Sequence, residues 1–277
     1  MKRLVWLASY PKSGNTWMRM LFAAFQKHPD QPFELKDAFK STRSEVRRSE
    51  FEKIAGKSEL SELEIDRLRE AVQISIAQAI KPPVLLKTHN ARVMHNGFPM
   101  IRRELTLGAI YIVRNPLDVA DSVADHWGVS IDEAIAMMNN RRNAIGGGQG
   151  DDLVKQYLES WSQHVLTWCH QRAFPVHVVR YEDLLSATEF TFRNVLTFLG
   201  WQLDEQRIRQ AIELTQFDSL RSREETSGFA ERSKKSTSGT FFRRGQSGHW
   251  REILTSAQAN LVIEHHGLVM RRFGYVV

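Results

Sequence analysis

The residues Leu4–Phe25, LVWLASYPKSGNTWMRMLFAAF, decide the fold that the sequence predicts. The apolar run 4–8 has the length and residue types of a buried strand. The apolar side chains from Trp17 to Phe25 are spaced for one face of a helix. Between them lies a polar turn, residues 10–16, with one proline, one lysine and one glycine. A strand that turns sharply into a helix directs free backbone N–H groups and the positive end of the helix dipole at one point, which predicts a site for a phosphate-like anion.

The spacing of this turn differs from that of the nucleotide triphosphatases. Their loop reads G-x-x-x-x-G-K-[ST], with a glycine before the lysine. Here Lys12 precedes Gly14, the only glycine of the turn. An ordinary strand–helix turn with a solvated lysine is the alternative, and for an isolated Lys-Ser-Gly it would be favoured by roughly three to one, because short motifs match by chance. The strand before the turn and the aromatic-rich helix after it favour the anion site.

Length and composition bound the class of protein. The 277 residues suit one large α/β domain or two small ones, and we predict a single domain over residues 1–277. The formal net charge of +6 favours anionic ligands but does not by itself indicate nucleic acid. The single cysteine excludes an internal disulfide and a cysteine-based zinc site. Because no apolar stretch is long enough for a membrane span or a signal peptide, we predict a cytoplasmic protein.

Strands alternate with helices along the rest of the chain. Short apolar runs predict strands at 84–86, 108–113 and 176–179. Capping patterns at Ser61, Ser130 and Thr255 predict the starts of three helices, the first ended by Pro82-Pro83. Amphipathic spacing predicts further helices at 153–168, 188–199 and 205–214, whereas 26–56 is predicted to be a surface loop with short helices. The alternation predicts a central parallel sheet flanked by helices.

Three groups of polar residues are predicted to converge at one edge of this sheet, because ligands of such sheets collect where the strands end. Residues 12–16 offer one anion site, and Arg114 and Ser122, eight residues apart at the start of a helix, can share a second anion. Residues 243–245 supply a mobile cationic loop. Two anion sites imply a ligand that carries phosphate at two separated places. His89, beside Lys87 at a strand end, is a candidate general base because its pKa is naturally near working pH.

Six sequence motifs follow one another in the order that they have in a known family of enzymes. They are YPKSGNTW from Tyr10, KTH from Lys87, YIVRNPLDVADSVADHW from Tyr111, YEDL from Tyr181, TQF from Thr215 and FFRRGQSGHW from Phe241. Together they resemble the cytosolic type of sulfotransferase that uses 3′-phosphoadenosine 5′-phosphosulfate (PAPS). Each motif alone is weak, but six in the same order are specific, and the resemblance spans residues 5 to about 275. It implies an α/β, P-loop-like sulfotransferase fold.

The resemblance also implies a role for each matching residue. Lys12 would stabilise the leaving phosphate oxygen, Lys87 would steady the transferred sulfuryl oxygens, and His89 would take the proton of the acceptor hydroxyl during in-line displacement. No metal is implied. The residues implied to bind PAPS are Ser13, Gly14, Asn15 and Thr16 with Trp17 beside them at the 5′-phosphosulfate, Arg114, Ser122, Arg243, Arg244 and Gly245 at the 3′-phosphate, and Tyr181, Thr215 and Phe217 at adenine.

The acceptor and the alternatives stay open at this point. The expected acceptor is a small molecule with a hydroxyl group, whether phenol, alcohol, sugar, lipid or antibiotic, and an aromatic lining from Phe33, Phe39 or Phe98 is one option. We expect a monomer or weak homodimer, because the family's dimerisation motif is poorly matched, and neither nucleic acid nor membrane as a partner. A kinase with a variant loop is opposed by the missing glycine–lysine pattern. A non-enzymatic anion-binding protein would need neither Lys12 nor His89.

Overall fold

The computed structural model describes residues 3–28, 30–79, 84–148, 150–170 and 173–275. Within these ranges the strands are β1 Leu4–Ser9, β2 Arg43–Ser44, β3 Val84–Thr88, β4 Met94–His95, β5 Phe98–Pro99, β6 Thr106–Val113, β7 Ala144–Ile145, β8 Gln156–Tyr157 and β9 Val176–Arg180. The helices are α1 Asn15–Gln26, α2 Ala38–Ser41, α3 Arg48–Ala55, α4 Glu62–Ala79, α5 Pro116–Trp127, α6 Ile131–Asn139, α7 Trp161–Cys169, α8 Tyr181–Ser186, α9 Thr188–Phe198, α10 Glu205–Leu214, α11 Phe217–Ser227, α12 Trp250–Ile253 and α13 Ser256–Arg272, with a 3₁₀ turn at Leu35–Asp37.

A five-stranded parallel sheet with the order β2-β3-β1-β6-β9 forms the centre of the fold. In β1 and β3 the register runs from Leu4 opposite Val84 to Ala8 opposite Thr88. Every residue of β1 is buried, as expected for a strand of a parallel sheet that is covered on both faces. The predicted α/β class with a central parallel sheet is therefore confirmed.

The chain forms two compact units, each assembled from three separate segments. The first unit comprises Met1–Tyr10, Thr42–Tyr111 and Asn140–Val178, and the second comprises Pro11–Ser41, Ile112–Asn139 and Val179–Val277. A single domain over 1–277 stays a prediction. No helix in the described part of the chain combines the length and apolarity that crossing a bilayer requires.

In the second unit, helix starts are specified locally. Asn115 is the N-cap residue of α5, where its side-chain oxygen accepts a hydrogen bond from the N–H of Leu117, and Pro116 occupies the first helical position. Thr255 and Gln258 form a reciprocal capping box at the start of α13. Helix α1 packs against α10, and α5 packs against α6. Of the residues that the sequence places at the anion sites, Asn15 and Thr16 lie on α1 and Ser122 lies on α5, and the others lie in the segments between helices and strands.

Two expectations about secondary structure need correction or qualification. The predicted helix 153–168 is wrong for its first half, because Gln156 and Tyr157 form β8 and pair with β7, and the helix begins only after Ser160, which caps it. In the first unit the N–H of Val154 donates to the carbonyl of Val46, which competes with helix formation there. The segment 26–56, predicted to be a loop with short helices, also contains β2. Pro82-Pro83, predicted to end α4, lie outside the described residues.

Candidate active site

The turn between β1 and α1 carries the first predicted anion site. Lys12 has a positive φ of 65° and Gly14 one of 100°, so two residues of the turn are left-handed. Gly14 is the N-cap residue of α1 and has no side chain with which to cap the first N–H groups of that helix. Ser13 is fully buried, and its hydroxyl oxygen has no hydrogen-bond partner among the described residues. The turn therefore presents backbone donors and a buried hydroxyl, which suits an oxyanion.

Gly14 is required by its surroundings as well as by its φ. A Cβ at this position would lie 2.6 Å from Cδ2 of Tyr181. The ring of Tyr181 also lies 4.4 Å below the guanidinium of Arg114 and meets the edge of Trp17, with ring centroids 6.0 Å apart. Trp17 in turn donates a hydrogen bond of 3.0 Å from Nε1 to the carbonyl of Thr215. Tyr181 thus joins three of the predicted PAPS-binding residues in one cluster.

Lys12 lies in a partly desolvated position within the second unit. Its Nζ is 4.2 Å from the ring centroid of Phe241 and 3.4 Å from Nδ1 of His126. Burial lowers the pKa of Lys12 to about 8, and the Glu231 carboxylate opposes that shift. The nearby charge of Arg114 lowers the same pKa further. Lys12 is therefore a cation that gains stability from any anion added to the turn.

Arg114 and Ser122 are brought together as the sequence predicts. Arg114 Nη1 donates to the hydroxyl of Ser122 at 3.3 Å and to the carbonyl of Lys12 at 3.0 Å. Its Nη2 donates to the carbonyl of Gln246 at 3.2 Å. The guanidinium therefore bonds both to residues 12–16, which we name the lysine turn, and to the basic segment 243–250.

Arg243 and Arg244 share a single carboxylate. Arg243 donates to both oxygens of Asp121, and Arg244 Nη1 donates to Oδ2 of the same residue at 2.6 Å. Asp121 lies on α5, one residue before Ser122. We use the term arginine cluster for Arg114, Arg243 and Arg244. In this structure the loop predicted to be mobile therefore makes ion pairs with α5.

The residues that the resemblance implies to bind adenine lie beside the same basic segment. A Cβ at Gly245 would lie 2.2 Å from Cδ2 of Phe217, and Gly245 has a φ of 61°, so only glycine fits there. Phe217 begins α11. Thr215 is buried and donates its hydroxyl proton to the carbonyl of Ala211. Its own carbonyl is the oxygen that accepts the indole proton of Trp17.

His89 follows β3 in the first unit, where the end of β1 fixes its ring. Nδ1 of His89 lies 2.8 Å from the carbonyl oxygen of Ser9. Because a carbonyl can only accept, Nδ1 carries the proton, and the lone pair of the neutral ring is on Nε2. Lys87 is half-buried at the register position opposite Leu7. Ser9 directly precedes the anion-binding turn in the chain.

The sulfotransferase domain family matches residues 2–274 of this chain. The chain belongs to the sulfotransferase family. Among curated proteins, it is 23% identical over 273 residues to sulfotransferase 1A1 of Bos taurus, covering 95% of this chain and 82% of that one. It is 24% identical over 265 residues to sulfotransferase 1B1 of Canis lupus familiaris, covering 91% of this chain and 78% of that protein.

Solved structures show the same fold. Mouse sulfotransferase SULT7A1 complexed with PAP is 19% identical, with a TM-score of 0.61 over 98% of this chain and 86% of that one. Retinol dehydratase in complex with androsterone and inactive cofactor PAP is 18% identical, with a TM-score of 0.61 over 97% of this chain and 80% of that one. The expected sulfotransferase fold is therefore confirmed.

The two units of this sulfotransferase hold different parts of the predicted site. Lys12 and all thirteen residues predicted to bind PAPS belong to the second unit, whereas Lys87 and His89 belong to the first. In the second unit, contacts join the lysine turn to the arginine cluster and to Tyr181. Phe33 and Phe39 line a cavity of about 680 Å³ in the second unit, together with Phe229 and Arg223. Phe98 lies in β5 of the first unit.

Sequence reasoning missed the acidic residues that bind the arginine cluster and the segment around it. Asp118 accepts hydrogen bonds from the N–H groups of Gly248 and Trp250, as Asp121 does from the arginines. Burial alone would raise the pKa of Asp125, but hydrogen bonds from Thr237 and Ser238 outweigh it and hold that pKa below its usual value.

These three aspartates lie three and four residues apart on α5, and each holds a successive part of the segment 236–250. Glu231 similarly accepts the hydroxyl proton of Thr16 at 2.7 Å and pairs with Arg19. The spacing of the aspartates, set against a basic Ser/Thr-rich segment, is the signal that could have found them.

Proposed function

We propose that this protein transfers a sulfuryl group from PAPS to the hydroxyl group of a small-molecule acceptor, with Lys12, Lys87 and His89 as its catalytic residues. The observation that carries the proposal is the joined pair of anion sites in the second unit, where Arg114 bonds to Lys12 and Ser122. The PAP in the structures of mouse SULT7A1 and retinol dehydratase supports the same nucleotide here. The two anion sites match its two phosphate-bearing ends.

The lysine turn fits a 5′-phosphosulfate. The hydroxyl of Ser13, buried and without a partner among the described residues, would donate to one of its oxygens. The N–H groups of Asn15 and Thr16 at the start of α1 would donate to others. A side chain at Gly14 would occupy space against Tyr181, so glycine keeps the turn open to the anion. Bound there, PAPS supplies a sulfuryl group attached to a phosphate leaving group.

The arginine cluster fits a 3′-phosphate. Planar guanidinium groups bind phosphate oxygens in pairs, and Ser122 adds a hydroxyl donor beside Arg114. Arg243 and Arg244 would divide their donors between Asp121 and the phosphate. The aromatic faces of Tyr181, Trp17 and Phe217 would hold adenine, with Thr215 and Gly245 bordering them.

The chemical step assigns one task to each catalytic side chain. The acceptor oxygen forms a bond to sulfur as the bond from sulfur to the phosphate oxygen breaks, in line with it. His89 takes the acceptor proton on Nε2, because the Ser9 carbonyl keeps the other proton on Nδ1. Lys12 stabilises the charge that develops on the departing phosphate oxygen, and Lys87 steadies the sulfuryl oxygens.

The domain organisation belongs to the same proposal. Neither unit is one continuous stretch of chain, and the polypeptide passes from one to the other several times. We therefore infer that the whole chain, 1–277, folds as one sulfotransferase domain. A single cooperative unfolding transition seen by two independent probes would support this, and two separate transitions would contradict it.

Calorimetric titration with PAP, in the absence of metal, tests the nucleotide assignment. We expect PAP to bind, and Arg114→Ala to weaken it by about 10- to 100-fold, since a hydrogen bond to a charged group contributes about 1.5–3 kcal/mol. Arg221→Ala is the matched control, because Arg221 also belongs to the second unit but pairs with Glu225 on the exposed side of α11. Binding of ATP with Mg²⁺ but not of PAP would contradict the proposal and favour a kinase.

A further inference from the structure

A buried carboxylate that has no role in the proposed reaction binds the two residues next to His89. Glu45 follows β2 in the first unit and is 1% exposed. Its Oε1 accepts two hydrogen bonds, from the hydroxyl of Thr88 at 2.8 Å and from Nδ2 of Asn90 at 2.9 Å. Thr88 and Asn90 are the residues on either side of His89. A single buried oxygen atom therefore binds both neighbours of the proposed general base.

These bonds close a compact turn, residues 88–90, which we name the histidine turn. The N–H of Asn90 donates to the Thr88 hydroxyl at 2.9 Å, and Oδ1 of Asn90 accepts from the N–H of Tyr157 at 2.8 Å. Thr88 and Asn90 are fully buried. With both neighbours held, the backbone of His89 and the direction of its Cα–Cβ bond are fixed.

The backbone and ring of His89 are held in the same way. Its N–H donates to Oε1 of Gln156 at 3.3 Å, and its carbonyl accepts from Nε2 of His164 at 3.1 Å. The ring donates from Nδ1 to the carbonyl of Ser9. That last bond selects the tautomer with its lone pair on Nε2, and it forms only if the histidine turn holds the ring opposite Ser9.

We propose that Glu45 is a positioning residue for His89, acting through Thr88 and Asn90. The inference rests on the proposed function, in which His89 is the general base. Without the carboxylate, the Thr88 hydroxyl and the Asn90 amide lose a shared buried acceptor, and only the bond from the Asn90 N–H to the Thr88 hydroxyl still joins the two ends of the histidine turn. The imidazole then leaves Ser9 for part of the time.

A purely structural role for Glu45 is the competing explanation, because Arg69 lies 3.9 Å from its other oxygen. Burial raises the pKa of Glu45, and Arg69 and the hydrogen-bond donors oppose that shift. Asp66 separates the two explanations. It is also buried and accepts from Nε of Arg69 at 2.9 Å. Its other oxygen binds His95, Asn96 and, at 3.4 Å, the hydroxyl of Tyr157, and none of these residues belongs to the histidine turn.

The experiment compares Glu45→Ala with Asp66→Ala. Both variants remove a buried carboxylate beside Arg69, so both are expected to lower the free energy of unfolding. In protein with ¹⁵N-labelled histidine, we expect the wild-type His89 ring, assigned with His89→Asn, to be the Nδ1–H tautomer. In Glu45→Ala this signature is expected to shift towards the tautomer mixture of free imidazole, and in Asp66→Ala it is expected to stay.

Kinetics give the second readout, with the best acceptor from a screen of hydroxyl compounds. We expect Glu45→Ala to lower kcat by about 10- to 100-fold, since a small misplacement of a catalytic group has effects of this size. The KM for PAPS is expected to be unchanged. Glu45→Gln, which keeps an acceptor oxygen, is expected to restore most of the activity. Asp66→Ala is expected to keep the wild-type kcat.

Thr88→Val keeps the test decisive if Glu45→Ala does not fold. It removes one donor to Glu45 and also the acceptor of the Asn90 N–H, while the carboxylate keeps Arg69 beside it. It is expected to shift the same ring signature. An unchanged His89 tautomer in Glu45→Ala or Thr88→Val would overturn the proposal. Failure of the proposed function is recognised separately, because the wild-type protein would then bind no PAP whatever the state of its His89 ring.

Discussion

The arginine cluster of the second unit and the histidine turn of the first are held in opposite ways. The side chains of Arg243 and Arg244 are 20% and 32% exposed, and their common partner Asp121 is 13% exposed. Glu45, the carboxylate under the histidine turn, is 1% exposed and binds fully buried partners. Ion pairs in contact with water are weak and exchange readily, whereas a bond to a buried charge is costly to lose.

The difference teaches what each region is suited to do. A cluster that must bind a charged ligand needs partners whose hydrogen bonds can be exchanged for bonds to that ligand, and Asp121 is such a partner. A turn that must present one nitrogen atom needs a single geometry, and a buried acceptor shared by two donors supplies it. Substitutions that alter charge in the arginine cluster should therefore change mainly the affinity for the ligand. Substitutions in the histidine turn should act through kcat.

Of the substitutions that we consider in the ligand-binding region, Gly14→Ala is expected to have the largest effect on stability and on PAP affinity. Alanine at a φ of 100° is strained, and its Cβ would lie 2.6 Å from the ring of Tyr181. We expect a loss of about 2–4 kcal/mol in the free energy of unfolding from strain and overpacking together. Because Tyr181 also stacks on Arg114, displacement of its ring is expected to lower PAP affinity as well. Chemical denaturation and calorimetry measure the two effects.

Gly200→Ala is the control for backbone strain alone. Gly200 also belongs to the second unit and has a φ of 67°, but a Cβ there would meet nothing within 4 Å. We expect about 1–2 kcal/mol of destabilisation and unchanged PAP affinity. If the two variants bound PAP equally well, the close contact between Gly14 and Tyr181 would have no part in binding.

The pH dependence of PAP binding tests the lysine turn, with an intermediate effect. The pKa of Lys12 is lowered to about 8 by burial, so the ammonium group is present below that pH and is lost as the pH rises through it. PAP stabilises the charged form, so its affinity is expected to fall by up to about tenfold per pH unit above pH 8.

Lys12→Arg sharpens the assignment of this pH dependence. Arginine keeps its charge over the whole range, so the fall in PAP affinity above pH 8 is expected to disappear, although the affinity itself is expected to be lower. Calorimetry between pH 6 and pH 9.5 measures both proteins. An identical fall in the arginine variant would assign the titration to another group.

The sequence could predict those features that depend on neighbouring residues, and it could not predict those that depend on distant ones. The strand–turn–helix at 4–25 and the helix starts at Ser130 and Thr255 depend on neighbouring residues, and the structure bears them out. The pairing of β7 with β8 depends on residues far apart in the chain, and the local pattern at 153–160 suggested a helix instead. Cationic residues stand out in a motif, but the carboxylates that hold them do not, because their partners are 100 residues or more away.

Asp121→Asn is the smallest and most discriminating change. The substitution keeps the shape of the side chain and removes the charge that Arg243 and Arg244 share. If the arginine cluster exchanges partners, a phosphate no longer competes with a carboxylate, and PAP affinity is expected to rise by about two- to fivefold, within the range of a partly exposed ion pair. The gain is expected to shrink as salt is added, because screening weakens the original pair.

Asp132→Asn provides the matched control for this prediction. Asp132 lies on α6 of the same unit and accepts from Gln258, so its removal changes the net charge equally without touching the arginines. A rise in affinity for both variants would indicate a general effect of charge. Weaker binding in Asp121→Asn alone would mean that the carboxylate holds Arg243 and Arg244 ready for the ligand, which would make the arginine cluster as dependent on one geometry as the histidine turn.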